Sequence, residues 1–152
     1  MDICSKLQSI EPQEGFYLLH TDNALIKLCF VTDEIVRIRA SFDKDLAEES
    51  YILLTTAWED RLDPLFAGER TRLTPVKAGL KETEDAVFFS TAEVTLRVDR
   101  DPLNFTLCDA DGNILYRALS GCPFVKDSNG RVIAYREMKE DDCVYGFGEK
   151  AG

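Results

Sequence analysis

Basic residues are scarce in this chain. Eighteen Lys and Arg stand against 28 Asp and Glu, a formal net charge of −10 at pH 7. Nucleic-acid phosphates and anionic lipid surfaces are held by clustered Lys and Arg. The balance therefore excludes nucleic-acid and membrane partners and leaves an acidic, solvated exterior. Histidine is rarer still, with His20 alone. The five cysteines, Cys4, Cys29, Cys108, Cys122 and Cys143, are widely spaced and contain no Cys-x-x-Cys. A zinc site needs closely paired ligands of these kinds, so no metal and no cofactor are expected. An odd number of scattered cysteines fits thiols in a reducing compartment, and the expected location is cytoplasmic. Met1-Asp2-Ile3-Cys4-Ser5-Lys6 offers neither a basic n-region nor an apolar h-region of a signal peptide. No apolar run approaches the roughly 20 residues of a spanning helix. Without a secretion signal, the sequon Asn104-Phe105-Thr106 is read as chance.

What is present is an ordinary globular composition, 45% hydrophobic and 30% charged, on 152 residues. That length suits one domain with a core large enough to need no staples. The dominant pattern has period two. Ala24, Ile26, Leu28 and Phe30 alternate with Leu25, Lys27, Cys29 and Val31; Val36, Ile38 and Ala40 alternate with Arg37, Arg39 and Ser41. Val94, Leu96 and Val98 alternate with Thr95, Arg97 and Asp99; Leu103, Phe105 and Leu107 alternate with Asn104, Thr106 and Cys108. Each segment reads as a strand with one buried and one wetter face. Asp22-Asn23, Thr32-Asp33-Glu34, Asp109-Ala110-Asp111-Gly112 and Asp127-Ser128-Asn129-Gly130 supply the turns between strands. Asp101-Pro102 marks an edge position or a break, because proline donates no ladder hydrogen bond. Tyr51 to Trp58 is a further strand candidate, and Asp43 to Ser50 is a loop or a short helical turn. The expected fold is all-β with little helix, an antiparallel two-sheet sandwich.

Candidate chemistry is thin. Glu48-Glu49, Glu82-Glu84-Asp85 and Glu140-Asp141-Asp142 are read as solvated loop or strand acids rather than a facing catalytic pair. Trp58, followed by Glu59-Asp60, is a possible sugar or interdomain contact, with a core or interface role favoured. His20, at a strand end before Thr21-Asp22-Asn23, is read as a surface residue in a turn, and no Gly-x-Ser-x-Gly elbow accompanies it. Gly146-Phe147-Gly148 lacks the third glycine or Gly-Lys pair of a phosphate loop. No catalytic residue is assigned. The C-terminal stretch Val144 to Gly152 reads as a Gly-rich connector that leads onward. The expected organisation is a sandwich over residues 1–144, with 145–152 opening a linker.

That segment also carries a resemblance. Tyr145-Gly146-Phe147-Gly148-Glu149-Lys150 resembles the Tyr-Gly-Phe/Leu-Gly-Glu hallmark of glycoside hydrolase family 31. Val94 to Val98, Asp101 to Leu107 and Asp109 to Leu115 resemble the strand, Pro-aromatic strand and Asp-Gly hairpin that precede it in that family. The resemblance implies a galactose-mutarotase-like N-terminal β-sandwich of an α-glucosidase or α-xylosidase, followed in the parent by a catalytic (β/α)8 barrel. It implies that barrel and an α-linked oligosaccharide as partners, the latter through the parent. Tyr145 and Trp58 would be sugar or barrel contacts. A dimer through an exposed barrel-facing patch is a further expectation. The family's nucleophile lies in a Trp-x-Asp-Met-Asn motif. Trp58-Glu59-Asp60-Arg61-Leu62 matches only its first and third letters, so Asp60 receives no catalytic role and the chain alone is expected to be inactive. Two alternatives stay open. One is a free-standing carbohydrate-binding module using Trp58, Tyr51, Tyr135 and Tyr145; the other is a mutarotase-like enzyme relying on His20.

Overall fold

The computed structural model describes residues 1–46, 76–138, 140 and 142. Among these residues the structure is built of strands alone. They are β1 (Asp2–Cys4), β2 (Leu7–Gln13), β3 (Phe16–Thr21), β4 (Leu25–Phe30), β5 (Val36–Ser41), β6 (Gly79–Glu82), β7 (Ala86–Ser90), β8 (Val94–Arg100), β9 (Leu103–Asp109), β10 (Ile114–Arg117), β11 (Phe124–Lys126) and β12 (Val132–Ala134). The four alternating segments read from the sequence appear as β4, β5, β8 and β9. Tyr51 to Trp58 lies outside the described residues.

Two antiparallel meanders form the sandwich: a four-stranded sheet in the order β2-β3-β4-β5 and a five-stranded sheet in the order β10-β9-β8-β7-β6. A third sheet of three strands, β1-β11-β12, adds to the two that the alternation implies. Its key pairing, Ile3 with Val125, joins chain positions too distant for any local pattern to announce. Phe124 carries this small sheet onto the main core, its ring 5.9 Å from that of Phe105 in an edge-on contact.

The inner faces follow from the alternation. Leu19, Ile26, Leu28 and Phe30 of the four-stranded sheet and Val87, Phe89, Leu96, Val98 and Phe105 of the five-stranded sheet are all buried in one cluster. The Phe89 ring meets Tyr17 edge-on at 4.8 Å and Phe30 at 6.4 Å, so it bridges the layers. Such aromatic pairs add roughly 0.5–1.5 kcal/mol each beyond their area burial. The Tyr17 hydroxyl keeps a partner inside the core by donating to the Ala78 carbonyl at 2.6 Å. Strand β5 departs from strict alternation, since all six of its residues are half-buried. It ends the described sheet, and its Arg39 donates back to the Leu46 carbonyl at 3.0 Å.

Short polar side chains set the turns. Asp109 accepts from the Asn113 backbone at 2.8 Å and from its side-chain amide at 2.9 Å, while Gly112 takes a φ of 85°. Asp127 accepts from the backbone of Asn129 and Arg131, with Gly130 at a φ of 78°. Asp22 accepts from the backbone of Ser5, Lys6 and Asn23, which ties the β1–β2 corner to the β3–β4 turn. Burial alone would raise the Asp22 carboxyl, but the bond donated by the Ser5 hydroxyl, with these backbone bonds behind it, outweighs burial and holds the group below the usual carboxylate range. Asp101-Pro102 is a break rather than an edge. It is the turn between β8 and β9, two strands with a neighbour on each side.

Candidate functional site

The residues singled out for function are mostly out of view. Trp58, Tyr145, Gly146, Phe147, Gly148, Glu149 and Lys150 lie outside the described residues, as do Tyr51, Asp60, Glu48 and Glu49. Tyr135 is described and 41% exposed. His20 is not in a turn but within β3, where register places it beside the diagonal Glu11 of β2. Its Nε2 is 3.2 Å from the Glu11 carboxylate on an exposed surface. The acidic runs pair outward as well. Glu82 meets Arg100, and Asp142 accepts from Arg136 at 2.7 Å. Among the described residues, no three His, Cys, Asp or Glu side chains gather in a way that would hold a metal ion.

Two surfaces stand out instead. One is an apolar cleft of about 330 Å³ where the layers part, lined by Val36, Ile38, Leu107, Tyr116, Phe124 and Ala134 among others. It opens between β5 and the β9–β10 side of the five-stranded sheet, and a side chain entering it would extend the core. Burial pushes the Tyr116 hydroxyl up, with a smaller opposing pull from Arg136.

The other is the outward face of the five-stranded sheet. Its inner face is apolar, so the period-two rule sends the polar set outward together. Register aligns Phe88, Arg97, Thr106 and Arg117 in one row across β7, β8, β9 and β10. A second row carries Ser90, Thr95, Cys108 and Ile114, and a third sets Asp99 opposite Asn104. These rows border an open trough of about 560 Å³, which Ser120 and Glu137 also reach. Its charges are internally matched: Arg97 Nε lies 2.7 Å from the Asp99 carboxylate, and Arg117 lies 3.8 Å from that of Glu137. The Arg97 guanidinium also sits 5.9 Å from the Phe88 ring centre. The alternation marks Thr95, Arg97, Asp99, Asn104, Thr106 and Cys108 as belonging to the wetter face of their strands, although Thr106 is itself buried. Which of them share a row is a matter of register, which the pattern within one strand does not contain.

Comparison with known proteins places this geometry. Residues 25–152 match the family model of the glycosyl hydrolase 31 N-terminal galactose mutarotase-like domain. The chain is 29% identical over 140 residues to α-glucosidase 2 of Bacillus thermoamyloliquefaciens, covering 91% of this chain and 16% of that protein. In fold it is similar to the family 31 dextranase of Flavobacterium johnsoniae, solved with glucose. That match has a TM-score of 0.76 at 19% identity and covers 100% of this chain and 17% of the dextranase. It is also similar to the cycloalternan-forming enzyme of Listeria monocytogenes, solved with a pentasaccharide substrate. There the TM-score is 0.51 at 11% identity, covering 77% of this chain and 9% of that enzyme. The chain thus spans only about a sixth of the α-glucosidase and the dextranase. The paired meanders, the Asp111-Gly112 turn of one of them and the match over residues 25–152 agree, and the chain belongs to the glycosyl hydrolase 31 N-terminal galactose mutarotase-like domain family.

Proposed function

We propose that this chain is the non-catalytic N-terminal β-sandwich of a family 31 α-glycosidase, a parent that hydrolyses α-glucosidic bonds. The observation that carries this reading is the match of residues 25–152 to an N-terminal domain, on a chain that spans only 16% of α-glucosidase 2. Its role is to support the catalytic barrel and to lead the Tyr145 to Lys150 segment toward the sugar site, with Tyr145 and Trp58 as contacts. The apolar cleft beside β5 suits this role, because the half-buried Ile38 and Leu107 that line it gain by being covered with the remaining polypeptide. Interdomain contacts of this kind commonly bury ~600–1,500 Å². The substrate, an α-linked oligosaccharide, belongs to the parent, and the scattered cysteines favour a cytoplasmic one.

Retaining glycoside hydrolysis needs two carboxyl groups about 5–5.5 Å apart across the bond. Among the described carboxylates, Asp99 and Glu137 are engaged with Arg97 and Arg117, and Glu11 faces a histidine. The purified chain is therefore expected to release no nitrophenol from an aryl α-glucoside. Turnover that scales with chain concentration and survives repurification would sink the reading.

A further inference from the structure

We infer that the outward trough of the five-stranded sheet is itself a binding site for a neutral saccharide, on a face separate from the apolar cleft. This goes beyond the supporting role proposed above and does not depend on which bond the parent cleaves.

Charge selects the class of ligand. Arg97 and Arg117 are each matched within the trough by Asp99 and Glu137. An anion would have to displace or face those carboxylates, and a cation the guanidinium groups. The chain's net charge of −10 adds a general penalty for anions. A neutral, hydroxyl-rich molecule meets neither obstacle.

Hydrogen bonding points the same way. Asn104 Oδ1 is shut from solvent and has no partner. A buried polar group without a partner is costly. Register puts Asn104 directly opposite Asp99 and diagonal to Arg97. Arg97 is 52% exposed and held by an ion pair of the kind that contributes little at a surface, so it can swing aside as a ligand enters. A sugar hydroxyl seated there would complete the amide. The freed guanidinium, Thr95 and Thr106 would donate to or accept from its neighbours.

The Phe88 ring supplies the third element. It is half-buried and points out of an otherwise polar row, flanked by Arg97. A flat ring beside hydrogen-bonding groups suits the apolar C–H face and hydroxyl rim of a pyranose. The volume of about 560 Å³ lies within the ~300–1,000 Å³ common for small-molecule sites.

The test is a titration of the 15N-labelled 152-residue chain with maltose and with isomaltotriose, followed by amide shifts. Saturable shifts centred on Phe88, Arg97, Asn104 and Thr106 are expected, unaffected by salt. Asn104→Leu should weaken binding about tenfold while leaving thermal stability unchanged or higher, because it removes an orphaned group. Arg97→Gln, at an exposed position, should loosen binding severalfold and serves if Asn104→Leu does not fold. Absence of shifts with both sugars overturns the inference. So do shifts confined elsewhere, undiminished binding in the variants, or competition by inorganic phosphate.

Discussion

Cys4 shows what a single side chain is made to do by its surroundings. It is fully buried, and its thiol donates to the Thr21 hydroxyl at 3.1 Å. Burial pushes the thiol up to about 11, the Thr21 bond lowers it less, and the Asp22 charge adds a small rise. The thiolate is the nucleophile, so Cys4 is inert. Cys108 and Cys122 are partly exposed. Iodoacetamide at mildly alkaline pH should label those two first and reach Cys4 only on unfolding, as read by mass spectrometry. Equal labelling rates for Cys4 and Cys108 would contradict the burial. The thiol also sets a direction for stability. In the unfolded chain it ionises at its ordinary 9.0, while in the fold it keeps its proton to about 11. Its contribution is therefore complete below pH 9.0 and is lost as pH climbs through about 11. The sequence shows a cysteine at position 4 but not its surroundings, because Thr21 and Phe124 arrive from other strands.

At the scale of elements, the turns were the most legible part. Asp109 to Gly112 and Asp127 to Gly130 reverse the chain where their residue types require. Gly112 makes the reason measurable. A Cβ there would meet nothing within 4 Å, so only its φ of 85° opposes a side chain. Gly112→Ala should cost about 1–2 kcal/mol through backbone strain alone, and Gly112→Asn distinctly less. Chemical denaturation of both variants checks the order, and an alanine variant as stable as the parent chain would refute the strain argument. Strands were legible where one face is apolar, as in β8 and β9. Others gave weaker signals. In β2, Leu7 to Gln13 carries one buried residue among seven, and Pro12 sits in a strand at the end of its sheet. In β7, Ala86-Val87-Phe88-Phe89 is an unbroken apolar run whose period cannot be read. His20 lies at the strand end and on the surface as read, but not in the turn: the turn signal in Asp22-Asn23 is strong, yet the reversal waits until β3 has run through Thr21.

For the whole molecule, the apolar cleft is the feature with consequences. Surfaces lined by Val36, Ile38 and Leu107 favour a cover over water. In the isolated chain a second copy is the available cover, so sedimentation velocity should show a weak, concentration-dependent dimer. Leu107→Asp should abolish it while the spectrum of a folded β-protein persists. A strict monomer at every concentration would remove the cleft as an association surface. The trough on the opposite side of the five-stranded sheet should be indifferent to that change, because Leu107 and Thr106 alternate between its two faces.

The class of fold was legible in the chain: alternation, Asp and Gly turns and the want of helical periodicity leave little but antiparallel strands. The sequence also carried the family, through short motifs near its end. Which outward residues stand together emerges only once the strands pair. The row Phe88, Arg97, Thr106 and Arg117 draws one residue from each of four strands. Alternation assigns a residue to a face and says nothing of its neighbour on the next strand. That neighbour is set by hairpin register, which the packing of Phe89 against Tyr17 and Phe30 holds in place.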